Sequence, residues 1–213
     1  NNKIYRFLLS NQFTQKVVIF SNFSLIFELF KKLFGFIIEN IFRMGQNQSS
    51  LDKRKSSIDV DGILYELTEK TKEACITGFI SNNQNQIYIP RSIQVKKKEY
   101  LVTAIYRNTF HYASFQSIQF DPDSPLQLIA EEAFSYSMLE SITIPSNVFI
   151  ICEGAFTSCR QLKSVNFASN NQLQMIEKNS FSKSSIESIS IPKRLTEISE
   201  STFYSCEQLA SRK

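Results

Sequence analysis

Residues 131–147 read EEAFSYSMLESITIPSN, and residues 153–170, EGAFTSCRQLKSVNFASN, repeat the same pattern in different letters. In both stretches an Ala-Phe pair is followed five or six residues later by a leucine. A β-branched residue comes three residues after that leucine, and an isoleucine or phenylalanine comes two residues further on. Self-similarity of this kind is the signature of a repeat architecture, so it is considered before any local assignment.

Five copies of the pattern follow one another, each built around a phenylalanine that we call the anchor. The anchors lie 24, 22, 25 and 22 residues apart, at Phe110, Phe134, Phe156, Phe181 and Phe203. An isoleucine stands five residues before each anchor, at Ile105, Ile129, Ile151, Ile176 and Ile198. Another apolar residue follows each anchor, at Phe115, Leu139, Leu162, Ile186 and Leu209. The connecting segments alternate in length, so the larger unit is a pair of about 47 residues.

A unit of this length is too short to bury its own apolar residues, which is typical of one coil in a solenoid. The Leu-x-x-Ile-x-Ile portion has apolar residues two apart, and this spacing predicts a short strand. The portion from the isoleucine through the anchor to the leucine has small residues between, which predicts a turn or a short helix. Stacked coils would then form a parallel ladder of strands over a core of repeated phenylalanines and isoleucines.

The pattern resembles BspA-type leucine-rich repeats, which follow I-x-x-x-A-F-x-x-C-x-x-L-x-x-I-x-I-P. The resemblance covers residues 105–209, with a partial earlier coil at Ile87–Pro90, and the segments DGILYEL and ACITGF are similar to the start of such proteins. It implies a leucine-rich-repeat solenoid, a horseshoe-like right-handed coil with short parallel strands on the concave face. Turns or short helices would lie on the convex face, and an N-terminal β cap would close one end. It also implies a surface antigen or adhesin, because such proteins of bacteria and anaerobic protists typically have these roles.

Four regions are predicted along the 213 residues. Residues 1–43 are an atypical Phe-rich segment, 44–57 a linker, 58–104 a β-rich cap with a partial first coil, and 105–213 five coils. Within the cap, SIQVKKKEYLVTAI predicts a hairpin that turns at its lysines. The last coil is incomplete, so we expect either a fragment of a longer repeat protein or end-to-end self-association.

The Phe-rich segment has no clear targeting role. Its apolar stretch contains Glu28, Lys31 and Lys32, which makes it a poor membrane-spanning helix. Polar residues also interrupt any hydrophobic region of a signal peptide. Three interpretations remain: translated upstream sequence, an amphipathic helix on a membrane surface, or a partly buried N-terminal helix.

A lipidation pattern lies just after that segment. If Met44 begins the native chain, MGQNQS fits the N-myristoylation pattern with Gly45 as the acceptor. The basic cluster Lys53–Lys55 would supply the second membrane signal that a single acyl chain needs. This alternative predicts an intracellular scaffold, cytoplasmic or tethered to the inner membrane face.

Charge and cysteine usage exclude several classes of function. The net charge of +4 arises within the first 44 residues and the remaining 169 residues sum to zero, which argues against nucleic-acid binding. Cys159 and Cys206 occupy equivalent sites two coils apart, roughly 10 Å, which is too far for a disulfide. Cys75 and Cys152 are expected to remain thiols. No cysteine and histidine spacing predicts a metal site.

No catalytic group is indicated, and no cofactor is expected. His111, the only histidine, follows its anchor at a position that varies among the coils, which suits an exposed residue. No second histidine stands at an equivalent place to activate a serine, and no Gly-rich phosphate loop is present. Glu131, Glu132 and Glu153 are expected in solvent. The sequence therefore predicts a binding module and no enzyme.

The outward side of the strands is the candidate binding surface. If Ile118 and Phe120 point inward, the residues between and before them point outward. Applied to each coil, this alternation gives the predicted contact residues: Ser117, Gln119, Ser141, Thr143, Ser164, Asn166, Ser188 and Ser190. They are either small polar residues that suit a curved sheet or an uncharged platform that binds a protein or a glycan.

Overall fold

The computed structural model describes residues 57–80 and 84–209. Every regular element in these two ranges is a strand. In chain order they are β1 (Ile58–Val60), β2 (Ile63–Thr68), β3 (Glu73–Phe79), β4 (Gln86–Ile89), β5 (Ser92–Val95), β6 (Lys98–Ile105), β7 (Ser117–Phe120), β8 (Leu128–Ile129), β9 (Ser141–Ile144), β10 (Ile150–Ile151), β11 (Ser164–Phe167), β12 (Met175–Ile176), β13 (Ser188–Ile189) and β14 (Glu197–Ile198). The predicted solenoid of parallel strands is confirmed.

The first ladder consists of β4, β7, β9, β11 and β13, all parallel. Its apolar side chains alternate as predicted: Ile142 and Val165 are 2% exposed and lie opposite each other in register. The intervening residues point away from the core. We call this outward surface the strand face and define it by Gln86, Tyr88, Ser117, Gln119, Ser141, Thr143, Ser164, Asn166, Ser188 and Ser190.

A second parallel ladder runs along the other side of the coils, through β6, β8, β10, β12 and β14. It joins the isoleucines that precede the anchors, and Ile151 pairs in register with Ile129 and Ile176. The sequence predicted only a turn or short helix for this portion of each coil. Its strands β8, β10, β12 and β14 are two residues long, too short for an alternating pattern to reveal them.

Tight turns follow each short strand, and they bracket the anchor. In each coil, the second residue before the anchor and the second residue after it have φ between 50° and 65°. Before the anchors these residues are Asn108, Glu132, Gly154, Asn179 and Ser201, and after them Tyr112, Tyr136, Ser158, Lys183 and Ser205. Backbone hydrogen bonds join these turns from coil to coil, as from the Phe134 amide to the Ala155 carbonyl at 2.8 Å. Of the two predicted alternatives, turns are found, and no helix occurs among the described residues.

The core between the ladders is organised by the anchors. Adjacent anchor rings from Phe110 to Phe203 have centroids 5.0–5.6 Å apart, and Phe79 begins the stack at 5.7 Å from Phe110. Four anchors, from Phe110 to Phe181, are at most 1% exposed. Because each ring packs mainly on rings of neighbouring coils, no coil buries its anchor alone.

The N-terminal strands extend the second ladder and close its first end. β1, β2 and β3 are antiparallel neighbours, and β3 pairs in parallel with β6. The predicted hairpin is present: β5 pairs with β6, and Lys96 and Lys97 both have positive φ, as a two-residue hairpin turn requires. The boundary at residue 104 stays a prediction. The assignments of 1–43 and most of 44–57 also stay predictions, since residues 1–56 lie outside the described part.

Candidate ligand-binding surface

The predicted contact residues lie on one continuous surface. Ser164 stands in register with Ser141 and Ser188, and Ser117 pairs with Ser141, so the serines form one column across four coils. Six of the eight predicted residues are exposed, and Ser117 and Ser164 are half-buried. Ser190 follows the end of β13 and is also exposed.

Hydroxyl groups on the two sides of the solenoid differ in their hydrogen bonding. On the turn side they donate to backbone carbonyls, as from Ser184 to Phe181 at 2.7 Å and from Thr202 to Ser199 at 2.7 Å. On the strand face, no serine or threonine hydroxyl donates to or accepts from another described residue. These hydroxyls therefore keep their full capacity to bond water or a ligand.

Tyr88 is the one aromatic side chain of the strand face, and it is held in place. Its ring is 50% exposed, and its hydroxyl donates to Asp121 Oδ2 in the next coil at 3.0 Å. The other carboxylate oxygen, Oδ1, accepts from the Asp123 amide at 2.9 Å. The hydrogen bond to Asp121 also raises the pKa of the Tyr88 phenol, so the phenol remains a donor at neutral pH.

Amides border this tyrosine. Gln86 Nε2 donates to Gln119 Oε1 at 3.3 Å, which joins the first two strands of the ladder. Further along the ladder, Asn166 pairs in register with Thr143 of the adjacent coil. None of the ten strand-face side chains carries a charge. The surface can therefore donate and accept hydrogen bonds without favouring ions of either sign.

Gln86 and Tyr88 were missed by the sequence analysis, although the signal was present. The segment IYIP was recognised as a partial coil, and its two isoleucines are buried as in later coils. The same alternation that exposes Gln119 therefore exposes Tyr88. Extending the pattern one coil towards the N-terminus would have included both residues.

The turn side carries aromatic residues of a different kind. His111 was expected in solvent, but it is half-buried, and its Nδ1 contacts the Ser135 hydroxyl. Its ring packs edge-on against Tyr112 at 4.2 Å. Tyr112 and Tyr136 stack with centroids 5.0 Å apart and are 67% and 46% exposed. Among the residues that the structure describes, none is bonded through a carboxylate to His111, as the orienting group of a catalytic triad would be.

Of the three carboxylates expected in solvent, Glu131 and Glu132 are exposed and Glu153 is half-buried. Glu131 pairs with Arg107, and Glu153 lies 3.3 Å from Lys178. Glu177, which the sequence did not single out, is half-buried and accepts from the Glu153 amide at 2.8 Å. Burial, more than its acidic neighbours, raises the pKa of Glu177. Among residues 57–80 and 84–209, no three potential ligands lie close enough to hold a metal.

All four cysteines are buried thiols. Cys159 Sγ donates to the Phe134 carbonyl and Cys206 Sγ to the Phe181 carbonyl, both at 3.0 Å. Burial raises the pKa of Cys75 and of Cys159 to about 11. These side chains therefore serve as small core residues, as the sequence predicted for the two equivalent positions.

Two points bear on membrane association. Gly45 lies outside the described residues, so its acylation stays a prediction. Within the described ranges, no helix has the length and apolar character needed to cross a membrane.

Comparison with known proteins identifies the repeat. The family model described as BspA type leucine rich repeat region matches residues 79–210 in six copies. The sequence analysis counted five copies and a partial coil, and the matched range also includes that earlier coil with β4. No curated protein sequence matches this chain.

Several solved structures are similar to this chain. The pneumococcal vaccine antigen PcpA is 22% identical with a TM-score of 0.57, and the match covers 72% of this chain and 48% of the antigen. A leucine-rich repeat protein from Bacteroides capillosus is 21% identical with a TM-score of 0.44, covering 70% and 98% of the two chains. A leucine rich cell surface protein from Faecalibacterium prausnitzii is 19% identical with a TM-score of 0.41, covering 75% and 54%.

The chain thus spans about half the length of the pneumococcal antigen. At this identity the structural similarity establishes the fold alone. The family match is more extensive, because it includes more than half of the chain and every coil of the stack. The chain belongs to the BspA-type leucine-rich repeat family.

Proposed function

We propose that this chain is a non-enzymatic binding module of a cell-surface protein, which engages a surface protein of a host or neighbouring cell through the strand face. Its repeat family and its fold support this proposal. The structural relatives include a protein described as a vaccine antigen and another described as a cell surface protein. Solenoids commonly use their extended strand surfaces for binding.

The observation that carries the proposal is the row of unbonded hydroxyls on the strand face. Turn-side hydroxyls such as Ser180 are bonded to the backbone, here to the Cys152 carbonyl at 3.0 Å. Strand-face hydroxyls such as Thr143 are exposed and make no such bond among the described residues. Polar groups that the fold does not use are available for a partner, whereas the bonded ones are needed for the coil itself.

Cell binding by charge variants tests this role. Thr143→Lys with Asn166→Lys places two charges on a neutral, exposed surface without touching the core. We expect the labelled full chain carrying both substitutions to bind target cells at least about tenfold more weakly. The matched control is Ser114→Lys with Gln161→Lys, two exposed residues outside the strand face, which should bind as the wild type does. Equal losses in both variants, or none in the first, would contradict the proposal.

The location is tested by protease treatment of intact source cells. Peptides from residues 101–213 should appear in the released fraction while cytosolic proteins do not. The sequence MGQNQS favours the alternative, an intracellular scaffold acylated at Gly45. That alternative predicts no released peptides and a mature N-terminus at an acylated Gly45.

A further inference from the structure

We infer that the strand face contacts neutral carbohydrate, and that Tyr88 is the platform on which a sugar ring packs. This inference rests on the proposed function and names the chemistry that the same surface recognises. The partner would then be a neighbouring-cell glycoprotein, bound through its glycan, with a free polysaccharide as the other source of the same chemistry.

The charge of the surface is the first argument. Its ten side chains include no ion, and most are hydroxyls or amides that both donate and accept hydrogen bonds. A neutral glycan presents the same mixture of donors and acceptors and also carries no charge.

The second argument is the arrangement of Tyr88. An aromatic ring with an exposed surface can pack against the apolar face of a sugar, while nearby polar groups bond the sugar hydroxyls. The bond to Asp121 holds the Tyr88 side chain towards the adjacent coil before any ligand arrives. A side chain fixed in this way loses less conformational entropy on binding. Both Asp121 oxygens already accept hydrogen bonds, so Asp121 is a positioning residue.

The third argument is the repeat distance. Successive strands of the ladder stand about 4.8 Å apart, which is close to the length of one sugar unit in an extended chain. A glycan that lies along the stack, starting at Tyr88, would therefore offer successive sugars to Gln119, Thr143 and Asn166. Their side chains are unlike one another, so they would discriminate between hydroxyl arrangements.

Binding of defined glycans tests the inference. We would apply the full-length protein to an array of neutral glycans and of sialylated and sulfated ones, and measure the Kd of hits by calorimetry. We expect binding to at least one neutral oligosaccharide of several units and no preference for acidic ones. Tyr88→Ala should raise the Kd at least about tenfold, with thermal unfolding checked to show that the fold is intact.

Two further variants separate the role of the Tyr88 ring from that of its hydrogen bond to Asp121. Tyr88→Phe keeps the ring and loses the bond to Asp121, so it should raise the Kd by a smaller factor than Tyr88→Ala. Tyr112→Ala removes a still more exposed tyrosine from the turn side and should leave the Kd unchanged. An equal loss in Tyr112→Ala and Tyr88→Ala would overturn the assignment of Tyr88.

The outcome also distinguishes this inference from the proposed function. If no neutral glycan binds, or only acidic ones do, while Thr143→Lys with Asn166→Lys still abolishes cell binding, the carbohydrate assignment is wrong and the strand-face role stands. If cell binding survives those lysines, both fail. Where a neutral glycan does bind, protease treatment of the target cells removes a glycoprotein source and leaves a polysaccharide source.

Discussion

The rings of Phe134 and Phe156 lie parallel, with centroids 5.0 Å apart and planes inclined by 3°. The contacts of Phe156 with Phe181 and of Phe181 with Phe203 are similar, at 5.2 and 5.6 Å. The anchor of one coil is thus the packing surface for the anchor of the next. Stability should therefore depend on where in the stack an anchor lies, which is the expected behaviour of a one-dimensional repeat.

Removing a central anchor should be more damaging than removing the last one. Phe156→Ala deletes a fully buried ring with anchors on both sides, and should lower the free energy of unfolding by about 3–5 kcal/mol. Phe203 stacks on one described anchor and is 6% exposed, so Phe203→Ala should cost less. Urea unfolding of both variants measures the difference, and equal losses would refute the stacking account.

Replacement of Glu177 should stabilise the protein at neutral pH. Its carboxylate is half-buried near Glu131, Glu153 and Glu197, and two of these acids already pair with cations, Glu131 with Arg107 and Glu153 with Lys178. Because its folded-state pKa is raised, the favourable protonated form is present at low pH and is lost as the pH rises through that value.

Glu177→Gln should therefore raise the free energy of unfolding at pH 7, since glutamine can still accept the Glu153 amide. The gain should diminish as the pH falls and the wild-type carboxyl becomes protonated. Thermal unfolding across this pH range gives the profile, with the exposed Glu132→Gln as the control. A variant that is less stable at pH 7 would show that the carboxylate has a favourable role.

The cysteines should be unreactive in the folded chain. They are at most 8% exposed, and the pKa of Cys75 and Cys159 is raised to about 11. At pH 8, iodoacetamide should modify them at least about a hundredfold more slowly than in urea, because both thiolate and access are lacking. Peptide mass spectrometry follows the labelling, and Cys75, the most exposed, should react first. A Cys159–Cys206 disulfide in the unreduced digest would contradict the predicted spacing.

The cap should depend on one carboxylate. Glu69 accepts hydrogen bonds from the Tyr100 hydroxyl and from Lys72 and Lys98, and these bonds lower its pKa to about 2. A lowered carboxyl pKa adds stability above the unfolded value of about 4.3, and this stability is lost as the pH falls towards 2.

Glu69→Gln should therefore speed amide hydrogen exchange in β3 and β6 at pH 7, with little effect near β13. The difference from wild type should shrink as the pH approaches 2. The control is Glu140→Gln, an exposed residue far along the chain from the cap. Unchanged exchange in both variants would mean that the cap does not need these bonds.

The sequence predicted what every coil shares and could not predict what depends on one pair of coils. Phe134 and Ile142 recur because each coil places them in the same buried environment, so their spacing reveals both core and strand face. In the other coils the position of Glu177 is occupied by Tyr106, Ala130, Cys152 and Ser199. The repeat pattern therefore does not predict a half-buried carboxylate there.

The hydrogen bond from Tyr88 to Asp121 could not be predicted for a similar reason. Asp121 lies 33 residues further along the chain, and the two meet only because β4 and β7 pair in a particular register. The second ladder was not predicted because its strands from β8 onwards have two residues, too few to show a period. Contacts between coils are therefore the part of the site that requires the structure.

The central claim, that the strand face is where ligand binds, is tested most directly by hydroxyl-radical footprinting of the full-length protein on target cells. Exposed tyrosines report both sides: Tyr88 lies on the strand face, and Tyr112 and Tyr204 lie on the turns, all at least 50% exposed. Our account predicts that cell binding protects Tyr88 from oxidation and leaves Tyr112 and Tyr204 as reactive as in the free protein. Protection of Tyr112 and Tyr204 with Tyr88 unchanged would place the ligand on the turn side and contradict it.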